Sequence, residues 1–355
     1  MRICLIASSR FPVAEPFAGG LEAMTHALAR ELVDRGHDVA LFAGPGSDPR
    51  LPVELLDLPD FEPSEIAMAD VNAPSRRWMA EHHAYLSLML GLAGGQDRRF
   101  DVVHNNSLHH LPIAMARTLS VPVVTTLHTP PLPWLESAIA LAPEESSFVA
   151  VSRATARAWS HVTDAAAVHN GVDVSTWLPG PGGGPAVWTG RLVPEKAPHE
   201  AVDACRIAGV PLVLAGPLSD PDYFAEHIAP RLGDGVSYAG HLDHAALARL
   251  LGQASVAVTT PAWDEPYGLV AAEAMACGTP VASYSRGALP EVVAPGAGVL
   301  AHPGDVADLA RAVLAARGCD RGAVRRHAEL HCSLTRMTDQ YERIYARLVD
   351  RDLAA

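Results

Sequence analysis

Short apolar runs alternate with helix-forming stretches along nearly the whole chain, and one run of breakers, PGPGGGP at 179–185, divides the alternation into two series. In the first series the runs at 3–7, 38–43, 100–104, 121–127, 148–151 and 166–169 read as strands. In the second they lie at 186–189, 211–215, 236–239, 255–260, 280–284 and 298–301. Runs this short, mostly apolar and bounded by turn residues, suit strands buried on both faces. Strands separated by helices such as 75–93, 154–160, 199–207, 245–251 and 306–316 predict mostly parallel sheets covered on both sides. The expected fold is therefore α/β, with two doubly wound Rossmann-like domains at 1–172 and 173–335. An amphipathic tail helix, within 336–355, carries Met337, Tyr341, Ile344 and Tyr345 toward one face. Such sheets bind ligands beyond the carboxyl ends of their strands, which directs attention to a cleft shared by the two domains. The stretch 45–60 reads as a connector with one short apolar segment.

Composition narrows the partners. The 355 residues carry a formal charge of −13, which argues against nucleic acid and against strong membrane association through anionic lipid. The opening apolar run, MRICLIASS, is too short for a signal peptide or a membrane span. Cys4, Cys205, Cys277, Cys319 and Cys332 show no paired spacing and read as reduced thiols, so the expected setting is cytoplasmic. Of the 27 basic residues, one is lysine, Lys196.

Three stretches carry chemistry. In WDEPYGLVAAEAMACGT, at 263–279, Glu265 precedes a turn containing Pro266 and Gly268, and Glu273 interrupts an apolar helix eight positions on. The free N–H groups at the start of that helix form an anion site. Glu265 alone could simply complement the helix dipole. Glu273 in an apolar run needs a partner, because a buried charge without one is costly. In GRLVPEK, Arg191 and Lys196 follow a strand end, a placement suited to gripping a diphosphate. Gly19-Gly20 lies where the first helix begins and lets backbone approach a phosphate. Phosphate groups between two hydroxyl-binding acids describe a nucleotide-sugar. His104, Asn105, His109 and His110, in HNNSLHH, could be acceptor contacts, metal ligands or loop residues; their spacing is poor for a zinc site. Asp220-Pro221-Asp222 reads as a helix cap with proline in the first turn. No metal is implied.

Taken in order, GG before the first helix, the VVH and LHT strand ends, NGVD, GRLVPEK, LAGP and EPYGLVAAEAMACGTPV resemble a retaining glycosyltransferase of family 4 with the GT-B fold. The resemblance spans essentially the whole chain and includes the family's pattern of two glutamates separated by seven residues. It implies that Gly19, Gly20, Arg191 and Lys196 hold the donor diphosphate. Glu265, Pro266, Tyr267, Gly268 and Leu269 would surround the sugar and phosphates, and Glu273 would bind the ribose hydroxyls. His128 would sit beside the sugar, and Gly240 to Leu242 near the base. The catalytic set implied is His128, Glu265, Arg191 and Lys196. His104, Asn105 and His109 are acceptor candidates, and the tail helix would cross back to the first domain. The reaction expected is transfer from a nucleoside-diphosphate sugar, UDP favoured, to a hydroxyl of a small soluble metabolite or natural product. The donor is a co-substrate, and no cofactor is expected. Two other readings are a glycoside hydrolase using Glu265 and Glu273, and a two-lobed sugar-binding protein without catalysis. The absence of G-x-G-x-x-G after the first strand disfavours a dinucleotide oxidoreductase. Two positions depart from the family pattern: Tyr267 stands where phenylalanine is usual, and HCSLTRM replaces an aromatic-Ser-Trp segment in the tail.

Overall fold

A computed structural model describes residues 1–56, 61–143 and 146–352; the end of the 45–60 connector lies outside them. The first sheet contains β1 (Arg2–Ile6), β2 (Asp38–Ala43), β3 (Val53–Leu55), β4 (Val102–Asn105), β5 (Val123–Leu127), β6 (Ser147–Ala150) and β7 (Ala166–Ala167). Their order is β3-β2-β1-β4-β5-β6-β7, and every pairing is parallel. The second sheet contains β8 (Ala186–Thr189), β9 (Leu212–Ala215), β10 (Val236–Tyr238), β11 (Ala257–Thr259), β12 (Val281–Tyr284) and β13 (Gly298–Ala301). Its order is β10-β9-β8-β11-β12-β13, again all parallel. Strand order reverses between β1 and β4 in one sheet and between β8 and β11 in the other. At such reversals the flanking connections leave to opposite faces and open a crevice.

The central strands are apolar because helices cover both faces. Ile3 to Ile6 are inaccessible to solvent. On one side β1 meets Met24, Leu28 and Leu32 of the helix Gly20–Asp34. The other side holds Tyr85, Met89 and Leu92 of the helix Arg76–Ala93. The tail helix Leu334–Asp352 joins the first of these layers: Met337, Tyr341, Ile344 and Tyr345 pack with Leu5, Leu28 and Leu41. Its spacing of i, i+4, i+7 and i+8 supplies the stripe this burial needs.

β3 lies in the stretch read as a connector, and a helix unread from the sequence follows residue 320. The helix Arg321–His331 is too polar for apolar periodicity to reveal. Its Arg325 instead donates to the carbonyls of Trp177, Val174 and Ala276, and Arg321 to those of Ala254, Gly252 and Cys277. The breaker run 179–185 is no slack tether: Gly180, Gly182 and Gly184 donate to Cys277, Gly252 and Gln253 of the second domain. Between β7 and β8 the backbone of Val172 pairs with Cys332 and Leu334. Asp220 accepts from the Tyr223 N–H at 2.9 Å, with Pro221 in the first turn, as a cap requires. All five cysteines are unpaired. Among the described residues no helix is long and apolar enough to cross a membrane.

Candidate active site

The carboxyl ends of β8 and β11 deliver the groups that face the first sheet across a cleft of about 360 Å³. Beyond β8, Gly190 has φ +148 and Gly216, beyond β9, has φ +142. A Cβ on Gly216 would lie 1.9 Å from the Gly190 carbonyl, so only glycine lets these two loops touch. That contact sets the start of the loop carrying Arg191 and Lys196. Thr260, beyond β11, donates its hydroxyl to the carbonyls of Lys196 and Ala197, at 2.9 Å each, and accepts from Trp188. Ala197 is held at φ 44, a left-handed conformation that a non-glycine residue adopts at a cost. The Lys196 backbone is thereby fixed from both sides.

The Lys196 ammonium forms an ion pair with Glu265, and the Trp263 indole N–H donates to the same carboxylate oxygen at 3.3 Å. Arg191 donates to Glu195 at 3.2 Å. Glu265 is seated by its backbone: its carbonyl accepts from Ala288 at 2.8 Å, and a Cβ on Gly287 would lie 2.3 Å from that oxygen. Gly268, at φ +95, turns the chain into the helix Leu269–Ala276. Pro266 accepts from the Thr155 hydroxyl of the first domain at 3.1 Å. Tyr267 points inward, 2% exposed, so the hydroxyl that distinguishes it from phenylalanine does not alter its core placement.

Glu273 lies four residues into that helix, lines the cleft and is 8% exposed. Burial alone pushes its carboxyl up to about 7, with no hydrogen bond or cation lowering it. A carboxyl in this state has hydrogen-bonding capacity left unused.

The first domain contributes the opposite wall. A Cβ on Gly20 would lie 2.9 Å from Leu269 Cδ1 in the second domain, so the walls approach closely where that residue has no side chain. Gly19 packs against Glu22, a buried cleft acid whose carboxyl is raised by burial and lowered in part by Arg191 and Arg10. Glu22 and Arg10 line the cleft and escaped the sequence reading, while Trp263 and Asn170, inside the WDEPYG and NGVD stretches, line it too without having been given a role; Glu22 stands two residues after the glycine pair, which was the available signal. His128 lies beyond β5, 8% exposed, and donates Nε2–H to Asn106 Oδ1 at 3.0 Å. Burial lowers its pKa to about 3, so the ring is neutral.

The structure therefore gathers Gly19, Gly20, His128, Arg191, Lys196, Leu242, Glu265, Pro266, Tyr267, Gly268, Leu269 and Glu273 around one cleft. Gly240 stands just behind it, its carbonyl accepting from Gly216 at 2.9 Å. The acceptor candidates His104 and Asn105 require correction, because both are fully buried. His104 is locked between the Tyr345 hydroxyl at 2.6 Å and the Thr126 hydroxyl at 2.8 Å, beneath the tail helix. Asn105 binds Ser107 and Thr125. His109 packs on Tyr85 outside the cleft, while its neighbour Leu108 lines it.

Comparison with known proteins identifies the family. Residues 18–176 match the model for Glycosyltransferase Family 4, and residues 186–318 that for glycosyl transferases group 1. The chain is 31% identical over 359 residues to a glycogen synthase of Mycobacterium tuberculosis, covering 88% of this chain and 85% of that one. It is 30% identical over 367 residues to an MMP α-(1→4)-mannosyltransferase of Mycolicibacterium hassiacum, covering 87% of each. Among solved structures it resembles Anabaena HepE in complex with UDP-glucose, at TM-score 0.76 and 20% identity over 98% of this chain and 100% of that one. The hydrolase and binding-protein readings find no support in these relatives. With its two parallel sheets facing one nucleotide-sugar-type cleft, the chain belongs to the family 4 glycosyltransferases and has the GT-B fold.

Proposed function

We propose that this glycosyltransferase moves a sugar from a UDP-sugar to a hydroxyl of a small soluble metabolite or natural product, with retention at the anomeric carbon and without a metal. The observation that carries the donor reading is Glu273, a buried cleft carboxyl with no hydrogen-bond partner among the described residues, placed one helical turn from free helix N–H groups. In this reading its partners are the ribose hydroxyls. Arg191, Lys196, the Gly19-Gly20 backbone and the N–H groups after Gly268 take the diphosphate, and Gly240 and Leu242 flank the base. These cations and dipoles stabilise the charge that develops as the diphosphate leaves, which is the role otherwise given to a metal.

Glu265 binds sugar hydroxyls, with Pro266 to Leu269 beside them, and the neutral His128 offers a further hydrogen bond. Its ion pair with Lys196 keeps Glu265 engaged, which disfavours a role as covalent nucleophile. The acceptor hydroxyl then attacks from the face the diphosphate leaves, and a donor phosphate oxygen takes its proton. The C–O bond to the diphosphate breaks as the C–O bond to the acceptor forms. The UDP preference draws support from the UDP-glucose bound to Anabaena HepE. A hydroxylated acceptor draws support from the names of the two full-length relatives, and the charge of −13 favours a soluble one.

A thermal-shift screen against UDP-, GDP-, ADP- and TDP-sugars tests the donor. A UDP-sugar is expected to raise the melting temperature most, with and without EDTA. A larger shift from another base, or loss of the shift in EDTA, overturns that part of the reading. Anomeric proton couplings of the isolated product then report retention or inversion.

A further inference from the structure

A second group of chemistry-bearing side chains lies outside the cleft. His82, on the helix Arg76–Ala93, meets His109 and His110 from the loop after β4, with one ring nitrogen of each within 4.8 Å of the others. Among the described residues this is the one cluster of three or more histidine, cysteine or acidic side chains so spaced. Sequence spacing concealed it, because His82 comes from a different element. Aromatic neighbours hold all three rings: Trp78 stacks on His82 at 5.0 Å, Tyr85 on His109 at 4.6 Å and Trp134 on His110 at 5.4 Å. The rings are thereby packed together before any ligand binds, although His109 and His110 stack at 4.4 Å and must turn to aim at one ion.

Two of the nitrogens have nothing to bind. His82 Nδ1 and His109 Nε2 are buried without a hydrogen-bond partner among the described residues. Buried polar atoms are rarely left so, and two in one cluster call for a shared ligand. A neutral imidazole has one ring lone pair to offer an ion. One bond opposes coordination: the Leu111 N–H donates to His109 Nδ1 at 3.2 Å, which places the ring proton on Nε2. Coordination through Nε2 requires that proton to move to Nδ1 and this single contact to be given up.

We propose that His82, His109 and His110 bind a divalent transition ion of the zinc, cobalt or nickel class. Imidazoles suit these ions, whereas magnesium and calcium take oxygen ligands. Three protein ligands leave the fourth tetrahedral position to solvent. The ion clamps the helix Arg76–Ala93 to the loop after β4. It lies one residue from Leu108, which lines the cleft. It also lies against Tyr85, whose hydroxyl accepts from Ser9 N–H and donates to the Ala7 carbonyl beyond β1. The clamp stiffens the first-domain wall and takes no part in sugar transfer.

The full chain, purified without a histidine tag and stripped with chelator, is titrated with cobalt(II) chloride. Visible d–d bands and about one cobalt ion per chain are expected, displaced by zinc. His82→Ala and His110→Ala are each expected to weaken binding at least about ten-fold. His82→Gln, closer in size, serves as the check that a loss is not misfolding, with circular dichroism alongside. His161→Ala, at an exposed histidine paired with Glu136, is expected to bind cobalt as the parent does. Absence of d–d bands in the parent chain overturns the proposal. So does cobalt binding of equal strength in the parent and the His82 and His110 variants.

Discussion

Lys196 and Glu265, 69 residues apart in sequence, meet as an ion pair at the cleft, with the ammonium 5.2 Å from the Trp263 ring centroid. One comes from the loop after β8 and the other from the loop after β11, so the pair spans the strand reversal of the second sheet. Both ends are mostly shielded, the side chains being 22% and 15% exposed. In the proposed reaction Lys196 serves the phosphates and Glu265 the sugar, so a bound donor must share or loosen this bond.

Lys196→Ala is expected to lower kcat/KM roughly 10²- to 10³-fold, the range for losing one preorganised charge donor. The circular dichroism spectrum should be unchanged, because Thr260 holds the loop through backbone carbonyls and not through the ammonium. Lys196→Arg should restore little, since a planar fork cannot replace a compact ammonium against Glu265 and Trp263. Near-normal transfer by a folded Lys196→Ala enzyme would remove Lys196 from the catalytic set.

Glu273→Gln separates binding from stability. The folded carboxyl has a pKa near 7 against an ordinary value of 4.5. Between those values the native state holds more protons than the unfolded chain, so stability falls as pH rises through this window. Without ligand, the glutamine variant should match the parent below about pH 4.5 and exceed it above pH 7, by about 1–3 kcal/mol. Donor affinity should fall at the same time. Denaturant unfolding at pH 5 and pH 8, with donor titration by calorimetry, checks both; a variant less stable at pH 8 would contradict the account.

Gly20→Ala places a methyl group 2.9 Å from Leu269 Cδ1 across the domain gap. Either Leu269 shifts or the walls part, and the expected loss in kcat/KM is roughly ten-fold or more. Leu269→Ala in the same chain should recover part of that loss, a coupling that independent sites would not show. Kinetics of the four combinations measure it.

His104 should behave as a structural residue. His104→Ala is expected to cost about 2–4 kcal/mol of stability, since it leaves the buried Tyr345 hydroxyl without its partner and Thr126 with Tyr341 alone, while KM for the acceptor stays unchanged. Burial lowers the pKa of this ring to about 3 from 6.5. The neutral ring's contribution is complete above pH 6.5 and is lost as pH falls toward 3, because the unfolded chain takes up the proton first. Acid unfolding of the parent and of His104→Asn, followed by intrinsic fluorescence, should show a shallower decline for the variant over that window.

The two sheets were legible because parallel strands covered on both faces must be apolar, which marks them as short runs between helices. The tail helix was legible for a related reason: one face meets a core, and the spacing of Met337, Tyr341, Ile344 and Tyr345 records it. Glu273 announced itself as a charge inside an apolar helix. The helix Arg321–His331 was hidden because its anchoring groups are arginines bonded to carbonyls, a contact that leaves no periodicity. His104 and Asn105 were misjudged because polar residues at a strand end commonly face ligand; here a tyrosine 241 residues away covers His104. The pairing of Lys196 with Glu265 and the meeting of His82 with His109 are products of tertiary geometry, outside the reach of spacing.

The tail helix also bears on how the molecule is made. The core beneath β1, β2 and β4 includes Met337, Tyr341, Ile344 and Tyr345, so the first sheet is not sealed until the chain beyond residue 333 has been synthesised. During translation one face of the second sheet can close around Ala186 to Ala316, and its other face needs only Val324, Ala328 and Cys332 from the chain beyond. The earlier sheet waits with one apolar face uncovered until the tail arrives. On the ribosome, the half of the protein made first is the half completed last.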